Sequence, residues 1–151
     1  MPQAAHLLDR AASLLDNPLV AALVSPRHID EYLELVSPML VQRETRARIV
    51  RVERQTSDTV TLVLAPSRRF APFRAGQYVT FTVELDGRRV TRCFSLSCAP
   101  ESGRVEVTIK ARAGGLGSVW ANAEAKVGDI VTLGAPLGDF VLPETLPRHF
   151  V

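Results

Sequence analysis

Residues 78–96 read YVTFTVELDGRRVTRCFSL, and the fold turns on this stretch. Tyr78 to Leu85 and Val90 to Leu96 read as β-strands, and the Asp86-Gly87 pair between them is the strongest short hairpin signal a sequence offers. Outward on the N-terminal side, from Thr45, the apolar period is two: Ile49, Val50 and Val52 precede the turn-prone Ser57-Asp58, and Val60, Leu62 and Leu64 follow it on one face. On the C-terminal side a turn at Glu101-Ser102-Gly103 leads into a strand from Val105 to Lys110. After Gly117 the pattern turns helical to about Ala123, and Gly128-Asp129 opens a last strand from Ile130 to Gly134. Short strands joined by tight turns predict a mainly β chain, a six-stranded antiparallel Greek-key barrel with one short helix.

Residues 1–42 read instead as an α-helical N-terminal extension, ahead of a barrel domain over 43–151. Leu7, Leu8, Ala11, Leu14 and Leu15 share a helical face that Asn17-Pro18 ends. A second start at Ser25-Pro26 precedes the stripe Ile29, Tyr32, Leu33 and Val36, which Ser37-Pro38 stops. This extension carries no recognisable chemistry and reads as packing.

At 151 residues, 46% hydrophobic and 23% charged, the chain supports one globular core. The longest apolar run, Leu19 to Val24, is six residues where a membrane span needs about twenty. Asp9 and Arg10 interrupt the early apolar residues, so no secretory leader is expected and the expected location is cytoplasmic. Cys93 and Cys98 are too few for a four-thiolate cluster and wrongly spaced for a redox pair; they read as small, reduced core residues. His6, His28 and His149 are scattered, and no metal site is expected. Asp58, Asp86 and Asp129 read as turn residues and Trp120 as core. From Thr45 to Arg112 there are 13 Lys and Arg against 6 Asp and Glu, while the rest of the chain holds 5 against 10. A basic, arginine-rich middle suits an anionic ligand, a phosphate-bearing cofactor or a nucleic acid.

Two segments could carry chemistry. Arg92-Cys93-Phe94-Ser95, at a strand end, offers a cation for phosphate, a flat ring and a hydroxyl, the set a flavin nucleotide needs. Strict alternation sends Arg92 and Phe94 to one face and Ser95 to the other, so the strand must end or bulge near Ser95 for all three to meet one ligand. Alone, the segment is weak, because an arginine on a half-exposed strand is more often just solvated. The second segment, Gly114-Gly115-Leu116-Gly117-Ser118, lies between a strand and a helix, where turned amides and a helix N-terminus suit a pyrophosphate. The competing reading is an ordinary glycine loop with Ser118 as helix cap. Its spacing fits neither a dinucleotide fingerprint nor a Walker loop.

Taken in order, Gly76-Gln77-Tyr78, then Arg92 to Ser95, then the glycine loop, the chain resembles the flavin-binding domain of the ferredoxin-NAD(P)H reductase superfamily. That family's signature is Arg-x-Tyr-Ser followed by a Gly-x-x-Ser loop, and the resemblance covers Thr45 to Val151. The helical leader resembles that of bacterial reductases serving desaturases or oxygenases. The resemblance implies that Arg92 binds the flavin phosphate, Phe94 packs on the isoalloxazine, and Ser95, the one implied catalytic residue, hydrogen-bonds the ring nitrogen that accepts hydride. It implies further that the backbone of Thr108, Ile109 and Lys110 runs along the ribityl and adenosine side, and that Gly115, Leu116, Gly117 and Ser118 hold the pyrophosphate. Phe94 departs from the family's tyrosine, which implies weakened rather than absent flavin binding. FAD is the expected cofactor, with FMN as the alternative.

The implied activity is that of a flavin-dependent NAD(P)H oxidoreductase in electron transfer, with NAD(P)H as co-substrate through a domain expected to begin where this chain stops. On that expectation the chain is a truncated product, a fragment or half of a split enzyme. It would be inefficient with NAD(P)H alone, with an NAD(P)-binding chain as one partner and a ferredoxin, desaturase or oxygenase component as acceptor. Two other readings compete: a barrel remnant that holds no cofactor, and an OB-like binder of single-stranded nucleic acid. The small supply of aromatic residues, six Phe and two Tyr, counts against the last.

Overall fold

The computed structural model describes Met39 and residues 44–141. The helices expected over 1–42, the three histidines and the end of the chain therefore lie outside the described residues. The first strand, β1 (Thr45–Arg54), buries Ala47 and Ile49 and turns Arg48 outward. Its pairing with β2 (Thr59–Pro66) slips between Ile49 and Arg51, leaving Val50 as an extra residue. The bulge reverses the alternation beyond it. Val52 consequently returns to the core while Val50 stays 44% exposed, so the three apolar residues grouped in the sequence reading do not share a face.

The second hairpin joins β3 (Tyr78–Leu85) to β4 (Arg88–Ser95) in unbroken antiparallel register. Leu85 pairs with Arg88, so the loop has two residues, and both take positive φ: Asp86 at 50° and Gly87 at 72°. That is the turn whose twist matches the flanking strands. The strand starts at Arg88, two residues earlier than the apolar pattern suggests, because tight turns leave no slack before pairing begins. A single 3-10 turn at Pro100–Ser102 then leads to β5 (Val105–Lys110). The helix α1 (Leu116–Ala123) and a short β6 (Ile130–Leu133) complete the described chain.

The strands pair antiparallel in the order β4-β3-β6-β1-β2-β5 and curl into an open half-barrel with Greek-key connections, as the sequence predicts. Ile49, Leu62, Leu64, Val79, Val107, Ile109 and Val131 fill the interior and are essentially solvent-free. Each such aliphatic side chain contributes about 1.5–3 kcal/mol of transfer free energy. Burial drives the curl, since a flat sheet would leave that inner face wet.

Cys93, paired with Thr80 on the face of β4 away from Phe94, is exposed and Cys98 is half-buried, so neither is the core residue the sequence suggests. β4 and β5 are the two ends of the sheet order, so each has one edge outside the ladder. Just past the end of β4, Leu96 bridges Val107 of β5 and Ser97 N–H donates to Glu106 O at 2.9 Å. Above that point the barrel has an open seam, and α1 packs against both strands that border it.

A candidate flavin site at the barrel seam

The seam is bordered by strand edges whose peptide groups have no ladder partner on that side. Carrying the antiparallel sense on from Leu96–Val107 sets residues 93–95 of β4 opposite 108–110 of β5, with Arg92 level with Ala111 just past its end. Arg92 is exposed, and its guanidinium donates to the carbonyl of Thr91 at 2.7 Å. Phe94 is half-buried, held edge-on against the buried Phe81 with ring centroids 5.8 Å apart and planes at 77°. Ser95 is exposed at the last position of β4, on the other face from Phe94. No bulge brings it across, and the strand does end there, one of the two outcomes the alternation allows. A group lying beside the strand edge, rather than on either face, can meet side chains of both parities.

Across the seam, Ile109 is fully buried and Thr108 faces outward, its hydroxyl 2.9 Å from that of Thr61 and 3.0 Å from that of Ser97. Thr108 and Ile109 thus border the opening through their backbone more than their side chains. The ammonium of Lys110 pairs with Asp58 at 3.3 Å, which turns this side chain toward the β1–β2 turn. The Asp58 carboxyl lies below the usual carboxylate range, held first by the Thr56 hydroxyl and then by that of Thr59, with Lys110 adding a smaller share.

The glycine loop caps the upper end of the seam. Gly115 is the cap residue of α1 in extended conformation, with its N–H donating to Arg112 O at 2.8 Å. A Cβ built on Gly115 would stand 2.6 Å from Ser118 Oγ and 3.1 Å from Arg112 O, so no larger residue fits there undisturbed. Ser118 is not the helix cap: its hydroxyl donates to Gly115 O at 3.0 Å and accepts from Arg112 N–H at 3.2 Å, closing the loop on itself. The amides of Leu116, Gly117 and Ser118 open the helix and have no carbonyl one turn back to bond. They carry the positive end of the helix dipole. Gly117 packs on Val90, where a Cβ would stand 3.3 Å from Val90 Cγ1. Arg92 follows two residues on, with the same side-chain parity as Val90. The start of α1 thus packs on β4 two residues before Arg92.

Beyond the loop a cleft of about 890 Å³ runs between α1 and the tip of the β3–β4 hairpin, lined among others by Leu85, Arg88, Val90, Leu116 and Trp120. Trp120 is thus 9% exposed core and cleft wall at once. Among the described residues no group of three His, Cys, Asp or Glu side chains could hold a metal ion. Nor is any described helix long and apolar enough to cross a membrane.

Residues 46–142 match the family described as the oxidoreductase FAD-binding domain. The chain belongs to that family. Its arrangement fits the cofactor named in the family description: unpaired strand edges, a cradle with no room for a Cβ at Gly115, free helix amides and a surface guanidinium. The domain is 38% identical over 147 residues to an NADPH oxidoreductase of Mycobacterium tuberculosis, covering 94% of this chain and 37% of that protein. It is 36% identical over 100 residues to the toluate 1,2-dioxygenase electron transfer component of Pseudomonas putida, covering 66% of this chain and 29% of that protein. Among solved structures, the flavohem-like FAD/NAD binding domain of the Vibrio cholerae nitric oxide dioxygenase superposes with a TM-score of 0.61 at 26% identity, over 69% of this chain and 48% of that one. The FAD-binding domain therefore spans well under half the length of the curated relatives named here.

One residue of the site was invisible to motif reading. Asn122, in the interior of α1, is 8% exposed and bonded to the carbonyl of Ile109 across the seam. Helical asparagine usually reads as a surface or cap residue, and only the burial reveals otherwise.

Proposed function

We propose that the seam holds FAD and that the chain is the flavin-carrying part of an NAD(P)H-dependent electron-transfer reductase. The observation that supports this most is the packing of the helix start on β4: Gly117 meets Val90, two residues before Arg92, and β4 and β5 are the two end strands of the sheet. In this reading Arg92 gives its planar fork to the phosphate oxygens, and the helix amides share the same negative charge. Phe94, fixed by Phe81, offers a rigid apolar surface to the isoalloxazine, and the Thr108–Lys110 backbone edge flanks the ribityl chain. Ser95 holds its hydroxyl toward the reactive ring nitrogen from the strand end and aligns it. The cleft beyond the glycine loop has volume for an adenosine, which favours FAD over FMN. FAD, once bound, supplies the ability to take two electrons from a reduced nicotinamide and pass them on.

An NADPH oxidoreductase among the relatives supports a nicotinamide donor, acting through a nucleotide-binding domain of the same protein or of a separate chain. The electron transfer component of an oxygenase supports a ferredoxin, desaturase or oxygenase component as acceptor. The test is spectroscopic. Purified chain titrated with FAD should turn yellow and hold the cofactor through gel filtration, and Arg92→Ala should lose it. A chain that stays colourless in excess FAD refutes the reading and leaves the remnant; salt-sensitive oligonucleotide binding without flavin would favour the nucleic-acid reading.

A further inference from the structure

A primary amide buried in a helix and satisfied on one side only needs a reason. Asn122 Nδ2 donates twice, to Ile109 O of β5 at 3.1 Å and to Ser118 O one turn back in α1 at 2.9 Å. Both acceptors are carbonyls, so the orientation of the amide is settled by its partners. Its Oδ1 is buried without any partner. An acceptor left this way costs stability, and a leucine of similar size would avoid the cost. The position is therefore held by what the donor side does.

What it does is mechanical. Through Ile109 it ties the helix to the β5 border of the seam, and through Ser118 to the residue whose hydroxyl closes the glycine loop on Gly115 O and Arg112 N–H. A single side chain thus fixes the first turn of α1 relative to the strand edge opposite Arg92. We propose that Asn122 is a positioning residue for the diphosphate: it holds the Leu116–Ser118 amides at the angle at which they and Arg92 can bind the same group. The proposal rests on the FAD reading above and deepens it, since Asn122 touches no part of the ligand itself.

The experiment compares the full chain with Asn122→Leu, titrating each with FAD and, separately, with riboflavin, which has no phosphate. Melting of the flavin-free proteins is followed in parallel. Loss of the clamp should weaken FAD about tenfold or more, the scale of one to two neutral hydrogen bonds, while riboflavin affinity and flavin-free melting change little. Asn122→Ala, which only removes atoms, should give the same pattern if leucine is not accommodated. Unchanged FAD affinity in a folded variant overturns the proposal. So does a parallel loss of FAD and riboflavin together with earlier melting, because that is the signature of a purely structural residue. Wild-type chain that takes up no FAD overturns the functional reading itself, and this proposal with it.

Discussion

At the scale of single residues, Phe94 and Gly115 carry the sharpest expectations. Phe94 already sits at a fixed angle against Phe81, so restoring the family's hydroxyl with Phe94→Tyr changes chemistry without moving the ring. One added hydrogen bond of about 0.5–1.5 kcal/mol should tighten FAD two- to tenfold in a fluorescence-quenching titration; no change would mean the hydroxyl finds no partner at the seam. Gly115 and Gly117 look alike in sequence and differ in space. A methyl at Gly115 meets Ser118 Oγ and the Arg112 carbonyl, whereas one at Gly117 meets only the end of the Val90 side chain, which can give. Gly115→Ala should therefore reduce FAD affinity much more than Gly117→Ala, and equal effects would contradict the loop geometry. Asn122 belongs here as the residue motif reading could not reach, because its role depends on a carbonyl 13 positions back in sequence.

At the scale of elements, both hairpins were legible because local rules decide them. Asp86-Gly87 supplies the positive φ values the turn requires, and the period-two residues of β2 and β5 all face inward in the structure. The Val50 bulge was not legible, since an extra residue in an apolar stretch leaves no mark on composition. The seam was not legible either. It lies between the two end strands of the sheet, β4 and β5, which the bridge of Leu96 to Val107 joins, a non-local pairing that no window of sequence contains. Motif residues could be named, but the packing of Gly117 on Val90, two residues before Arg92, needed the topology. The β1–β2 turn makes a pH prediction. Because the folded-state pKa of Asp58 is lowered by Thr56, Thr59 and Lys110, its contribution to stability is present above the unfolded-state value near 3.8 and lost as pH falls through the lower folded value. Asp58→Asn should lower stability at neutral pH and flatten the acid limb of the melting profile; an unchanged acid limb would show that the carboxylate is not ion-paired in solution.

At the scale of the whole molecule, charge and topology act together. The chain is basic between Thr45 and Arg112 and the proposed ligand carries a diphosphate, so FAD affinity should fall as salt is raised and riboflavin affinity should not. Bound FAD should also raise the melting temperature in a concentration-dependent way, worth about 2.7 kcal/mol at a hundredfold excess over Kd. The central claim is that one guanidinium and one helix start share a single ligand group, and a crystal structure of the chain with FAD tests it most directly. The diphosphate should lie between the Arg92 side chain and the amides of Leu116, Gly117 and Ser118, with the isoalloxazine against Phe94. A diphosphate bound away from either partner, or a flavin seated elsewhere on the barrel, would contradict it.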